Sequence, residues 1–133
     1  ILNVKFPHLD KWSEQRRTCA AIYTELLNEK LSDVIQTPVE VEGNHHVFHQ
    51  YTLRVPNRDE LQTFLKEQGI ATMIYYPMPL HVQPVFTDLG YKEGDLPETE
   101  KAAKEAISLP MYPELKREDQ ELVVEKIIEF YSK

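Results

Sequence analysis

Histidines are the first residues of this sequence whose type and spacing could carry chemistry. Three of the five lie close together, at His45, His46 and His49. On a strand, His45 and His49 would be roughly 13 Å apart at about 3.3 Å per residue, whereas zinc ligands lie about 2.1 Å from one metal. No metal site is therefore predicted, because no cysteine pair or His-Glu-x-x-His pattern supports one. From pattern alone, His49 is expected to be a core histidine bonded to backbone.

His81 is the strongest candidate for a functional side chain. It follows a predicted strand end and a Pro-Met-Pro kink at residues 77–79, which would hold it on stiff backbone at the rim of a sheet. An ordinary loop histidine is the alternative, and composition does not separate the two. Tyr75 and Tyr76 precede the kink and either pack or contact a ligand, although such pairs more often pack.

No nucleophile with a matching base is evident. Cys19 shares a helical face with Trp12 and Tyr23, where an inert core thiol is expected. Ser108 lacks the G-x-S-x-G pattern of an exposed nucleophile. The four glycines form no phosphate-cradling loop. The residues alone predict one candidate histidine without a complete catalytic set, so a non-catalytic binding or regulatory module remains an alternative.

The composition is that of one globular domain. The 133 residues are 41% hydrophobic and 28% charged, which argues against disorder. A formal net charge of -7 predicts no nucleic-acid partner, because phosphate backbones repel acidic chains. No apolar run approaches the roughly 18 residues of a membrane span, so no membrane association is predicted. A single cysteine favours a reducing compartment, and the cytoplasm is expected.

The elements that must position these residues alternate between helix and strand. Periodicity and turn signals predict helices at 9–26, 57–69, 95–106 and 115–130, and strands at 47–55, 70–76 and 107–111. Asn57 with Glu60, and Asp95 with Glu98, are predicted to cap two of the helices. The result would be an α/β sandwich, with helices flanking a small sheet.

The start of the chain is apolar and does not begin with methionine. We therefore expect a piece cut from a longer protein, in which this end meets another domain. An exposed apolar face of that kind predicts self-association, or disorder or repacking of residues 1–6.

Two motifs of the second half are specific in combination: Tyr-Pro-Met-Pro-Leu-His-Val-Gln at 76–83 and Ser-Leu-Pro-Met-Tyr-Pro-Glu-Leu at 108–115. Together with His-Val-Phe-His-Gln-Tyr at 46–51, in this order and spacing, they resemble the C-terminal region of the DegT/DnrJ/StrS family of nucleotide-sugar aminotransferases. The resemblance spans nearly the whole chain. Residues 9–17 are similar to the start of the long helix that joins the two domains of the family.

The resemblance implies the small C-terminal domain of the aspartate-aminotransferase fold, with an inter-domain helix at 1–31 and an α/β sandwich at 32–133. It also implies a homodimeric parent that uses pyridoxal phosphate (PLP) to move an amino group, usually from glutamate, onto a nucleotide-linked keto sugar for polysaccharide biosynthesis. The Schiff-base lysine of the family belongs to the large domain. No catalytic residue, bound cofactor or independent activity is therefore expected here.

The same resemblance implies roles for three residues. His81 matches the family histidine near cofactor and sugar, Tyr76 would line the same cleft, and His49 would be mainly structural. Lys116 departs from the threonine that caps the last helix in many relatives. A dehydratase-like relative, in which histidine replaces the Schiff-base lysine, stays open because the deciding residue would lie upstream.

Overall fold

The computed structural model describes residues 2–132 of the chain. Its order of elements is helical at both ends, with two short strands between. The α-helices and strands are α1 (Leu2–Lys5), α2 (Leu9–Leu31), β1 (Tyr51–Arg54), α3 (Arg58–Glu67), α4 (Pro97–Glu105), β2 (Ala106–Leu109) and α5 (Arg117–Tyr131). Three 3-10 segments lie at Phe6–His8, Leu80–Val82 and Pro84–Leu89. No helix in this described part is long and apolar enough to cross a membrane.

The sheet has two antiparallel strands, with Tyr51 opposite Leu109 and Arg54 opposite Ala106. The strand predicted at 70–76 is wrong: that segment makes only an isolated bridge, in which Met73 and Ser108 exchange two backbone hydrogen bonds. β2 offers few backbone groups for a third partner, because it is four residues long and a proline follows it.

The strand predicted at 47–55 is shorter than expected. Phe48 has a φ of 44°, in the left-handed region, and this turn breaks the alternation before β1 begins. Phe48 is consequently buried, while Val47 and His49 on the predicted apolar face are exposed. Alternation holds only within β1 and Val55 beyond it.

The buried side chains of α2, α5 and the two strands belong to one apolar core. Its fully buried side chains come from every one of these elements and from α3: Tyr23, Leu27, Tyr51, Leu53, Leu61, Leu65, Ile107 and Ile127 are each 0% exposed. The Tyr51 hydroxyl is 2.7 Å from the Thr24 hydroxyl of α2, which satisfies the phenol inside this apolar layer. The predicted α/β arrangement of helices against a small sheet is confirmed.

The predicted capping pairs are wrong in both helices. Asn57 precedes α3 in a left-handed conformation without a side-chain cap. α3 is instead tied to β2 by buried Arg58, whose Nη1 donates to the Ala106 carbonyl at 2.9 Å. Leu96 precedes α4, which begins at Pro97 as expected from the fixed φ of proline.

The first turn of the chain is helical over residues 2–8, and its apolar side chains point into solvent. Leu2, Val4 and Phe6 are 80%, 75% and 74% exposed. Residues 2–6 are helical here and Ile1 lies outside the described residues, so the predicted disorder or repacking of the segment stays a prediction. The expectation of self-association stays a prediction, because apolar side chains exposed this far are available to a partner.

One ion pair anchors the loop that leads into β1, and it predicts a pH dependence. Nη1 of Arg17 donates to Glu40 at 2.9 Å and to the His46 carbonyl at 2.8 Å, and the His46 amide donates to Glu40 at 3.0 Å. The Arg17 hydrogen bond, followed by the bond from His46, holds the pKa of Glu40 below its usual value. The anchor therefore stabilises the fold above the ordinary glutamate pKa and is lost as pH falls through the lowered value.

We expect Glu40→Gln to melt at a lower temperature than wild type at neutral pH, and this gap to close as the pH falls to about 3. Glu42→Gln, which changes an exposed glutamate of the same loop, is the matched control. Thermal melting followed by circular dichroism at several pH values measures the gap. A gap of constant size between pH 7 and pH 3 contradicts the prediction.

Candidate functional site

His81 is buried, not presented at a strand end. It lies in the 3-10 segment Leu80–Val82, which follows the extended backbone of Pro79. The side chain is only 5% exposed, and its Nε2 lies 3.0 Å from Oε1 of Glu100 on α4. The expectation of a histidine on the rim of a sheet is wrong, because the strand that would have ended there does not form.

Three hydrogen bonds of this site converge on Glu100. Its Oε1 also accepts hydrogen bonds from the backbone amides of Gly94 at 2.8 Å and Leu96 at 3.4 Å. The bond from His81, and next the bond from Gly94, keep the pKa of Glu100 below its usual value. With its pKa below the usual glutamate value, Glu100 is ionised at neutral pH and can only accept hydrogen bonds. The hydrogen between Glu100 and His81 therefore belongs to Nε2 of the histidine.

The other ring nitrogen of His81 is unused. Nδ1 is shielded from solvent and has no hydrogen-bond partner among the described residues. The ring edge packs at about a right angle to Tyr91, with centroids 6.3 Å apart. A buried polar atom without a partner is unfavourable. This nitrogen is therefore the polar atom of the pair that the described residues leave unsatisfied.

A cleft of about 390 Å³ lies beside the pair. Glu100 and Tyr91 form part of its wall, and the exposed Lys92, Glu93 and Lys104 place charges of both signs around it. The volume falls within the range of small-molecule pockets.

Tyr76 does not join this cleft. It is 71% exposed, packs edge-on against Tyr75 with centroids 6.2 Å apart, and lines a separate pocket of about 210 Å³ with Thr99 and Ala102. The two pockets share only a wall at Pro79 and Ala103. His81 itself is not among the lining residues of either pocket, and the shared cleft inferred for Tyr76 and His81 stays a prediction.

His49 is far less buried than predicted. It is exposed, and it lines a third cleft, of about 690 Å³, with Leu9, Arg16 and His45. The expected core histidine is wrong because the positive φ of Phe48 reverses which side chain turns inward. Its assignment to a mainly structural role stays a prediction.

Glu100 is the functional candidate that sequence reasoning missed. The capping pattern drew attention to Glu98, one of two acidic residues in the first turn of α4. The sequence signal that could have indicated Glu100 is Gly94, shortly before Pro97. A tight turn before a helix leaves backbone amides without partners, and a carboxylate in the first turn can accept hydrogen bonds from them.

None of the described lysines has the buried surroundings that can activate a lysine for Schiff-base formation. All described lysines are exposed except Lys126, which is partly buried and bonded to Glu129 at 2.8 Å. A lysine that forms a Schiff base is activated by desolvation or by a neighbouring cation, and none of these lysines is buried. In the same residues, no three His, Cys, Asp or Glu side chains converge to hold a metal.

The chain is similar to known proteins over nearly its whole length. The model of the DegT/DnrJ/EryC1/StrS aminotransferase family matches residues 1–128. The chain belongs to this aminotransferase family. A 72% identical relative from Geobacillus stearothermophilus is named pleiotropic regulatory protein; the match covers 98% of this chain and 35% of the relative. The dTDP-3-amino-3,4,6-trideoxy-alpha-D-glucose transaminase of Micromonospora megalomicea is 40% identical, over 97% of this chain and 35% of that protein.

Solved structures of family members have the same fold. Streptomyces venezuelae DesV, crystallised with a ketimine intermediate, superposes with a TM-score of 0.92 at 33% identity, over 99% of this chain and 35% of that one. A Brucella abortus family aminotransferase gives a TM-score of 0.86 at 35% identity, over 100% and 35%. The chain thus spans about a third of the length of the relatives that it matches.

Proposed function

We propose that this chain is the C-terminal domain of a PLP-dependent aminotransferase that moves an amino group from glutamate onto a nucleotide-linked keto sugar. The observation that carries the proposal is the family match across residues 1–128. Relatives named as transaminases or aminotransferases of dTDP-linked and UDP-linked sugars support the substrate class. In this proposal residues 1–31 join the two domains, and residues 32–133 form the small α/β domain.

The cofactor would be held by the remainder of the longer protein. Surface lysines of this chain do not suit the attachment, and solved relatives in PLP-bound form belong to chains about three times as long. PLP would supply the chemistry that shifts electrons during amino transfer. The part proposed for this chain is to border the active site with His81, Glu100 and, across the shared wall, Tyr76. We further propose a homodimer that acts in the cytoplasm.

The test begins with covalent attachment of the cofactor. The longer protein and this chain are each mixed with one equivalent of PLP, reduced with borohydride and weighed by mass spectrometry. We expect one adduct on the longer protein, on a lysine outside this chain, and an unchanged mass for the chain alone. A stoichiometric single-site adduct on the 133-residue chain contradicts the assignment of the cofactor to the remainder.

Activity is then measured on the longer protein with glutamate and dTDP- or UDP-linked 3-keto sugars. The expected products are 2-oxoglutarate and the amino sugar, detected together by mass spectrometry. Loss of water from the sugar without amino transfer favours the dehydratase-like variant. Absence of both reactions, together with absence of a cofactor adduct, favours a regulatory role of the kind named for the Geobacillus relative.

A further inference from the structure

Three features of the described surface stand apart from ordinary packing: the His81 and Glu100 pair, the apolar side chains at residues 2–6, and the cleft that contains His45 and His49. The apolar side chains have nothing on them to indicate what would cover them. In the third cleft, Arg16 already donates hydrogen bonds to the Val47 carbonyl at 3.0 Å and to the Ser13 hydroxyl at 3.0 Å. Of these three features, only the pair combines burial, directed hydrogen bonds and an unused polar atom.

We propose that Glu100 is a positioning residue for amino transfer: it fixes the ring of His81 with the proton on Nε2, behind the cleft wall that Glu100 and Tyr91 form. The inference rests on the proposed function, and it adds which residue sets the proton and the orientation of His81. Glu100 acts through His81 and needs no contact with the substrate itself.

The hydrogen bonds of Glu100 make this assignment directional. Two backbone amides, of Gly94 and Leu96, and Nε2 of His81 all converge on the same carboxylate oxygen, Oε1. These amides hold the carboxylate at the start of α4, where the partial positive charge of the helix end also favours an anion. The carboxylate therefore accepts from Nε2 whether His81 is neutral or protonated.

The state of Nδ1 then limits what it can bind. With the proton on Nε2, neutral His81 has a lone pair on Nδ1 that accepts from a hydroxyl or an amine, and protonated His81 donates from Nδ1. No described residue meets this nitrogen, although the ring is 95% buried. A hydrogen bond to such an unpaired atom lowers the free energy, because it removes the cost of burying the atom without a partner.

The first experiment reads the tautomer directly in the longer protein. Selective 15N labelling of histidine gives different nitrogen shifts for protonated and unprotonated ring nitrogens, and His81→Asn identifies the signals by their disappearance. We expect Nε2 of His81 to carry the proton in wild type and the signals to change in Glu100→Gln. A wild-type spectrum with the proton on Nδ1 and none on Nε2 overturns the proposal.

The second experiment compares Glu100→Gln with Glu105→Gln in the amino-transfer assay. Glu105 is on the same helix and pairs with Arg54 at 2.8 Å, away from His81, so it controls for loss of an ion pair. We expect kcat/KM for the keto sugar to fall about tenfold in Glu100→Gln and to stay within about twofold in Glu105→Gln. Equal activities of the two variants at equal melting temperatures overturn the positioning role.

The two experiments separate failure of this inference from failure of the proposed function. If wild type transfers no amino group to any keto sugar tested, the proposed function fails. The nitrogen spectrum then decides alone whether Glu100 sets the proton of His81. If wild type is active and the spectrum is unchanged in Glu100→Gln, the inference fails while the proposed function stands.

Discussion

Replacing His81 by alanine in the longer protein is expected to lower amino transfer tenfold to a hundredfold. The reason is positional: the ring is buried, one nitrogen is bonded to Glu100 at 3.0 Å, and the other has no partner among the described residues. Loss of one pre-positioned contact to substrate costs about 1–3 kcal/mol of transition-state binding, which corresponds to that range of rates. The value of kcat/KM for the keto sugar, at saturating glutamate, measures the effect.

His45→Ala is the matched control, because His45 is an exposed histidine that lines a different cleft. We expect its turnover and melting temperature to remain near wild type. His81→Ala is also expected to melt at a lower temperature, since it removes a buried ring and leaves Glu100 without its side-chain donor. Wild-type turnover in His81→Ala would show that the pair serves folding alone.

The largest expected effect on stability is at Leu27. This side chain is 0% exposed, and it lies in the core where α2 meets the sheet and α5. Leu27→Ala removes apolar contacts and leaves a cavity that the surrounding core only partly fills. The expected loss is about 2–5 kcal/mol of the free energy of unfolding.

Leu122→Ala is the control for Leu27→Ala, because the same atoms are removed from a side chain that is 49% exposed. Its free energy of unfolding is expected to change by about 0.5 kcal/mol or less. Urea titrations of the two variants and wild type, with equal m-values, give both differences. Equal losses in the two variants would contradict the placement of Leu27 at the centre of the core.

Those parts of the fold that depend on local chemistry could be predicted from the sequence. The spacing of Trp12, Cys19 and Tyr23 marks one face of α2, and Pro97 marks the start of α4, because both signals act within a few residues. Family membership was also readable, because the motifs at 76–83 and 108–115 are specific in combination and the family match covers 1–128.

The sheet could not be predicted to the same depth. Alternation at 47–55 and β-branched residues at 70–76 describe segments able to form strands. Pairing also requires free backbone groups on a neighbour. β2 is four residues long, so one segment became a two-residue bridge, and the turn at Phe48 shortened the other.

The sequence by itself determined that this chain is an α/β member of an aminotransferase family and that His81 is its candidate functional histidine. Only the tertiary structure decided how that histidine is held. Its partner, Glu100, is 19 residues away, and the contact forms because the 3-10 segment at 80–82 packs against the start of α4. Local periodicity contains no information on such a pairing. Nε2 of His81 meets the carboxylate of Glu100 because two elements pack together, and that packing depends on the core as a whole.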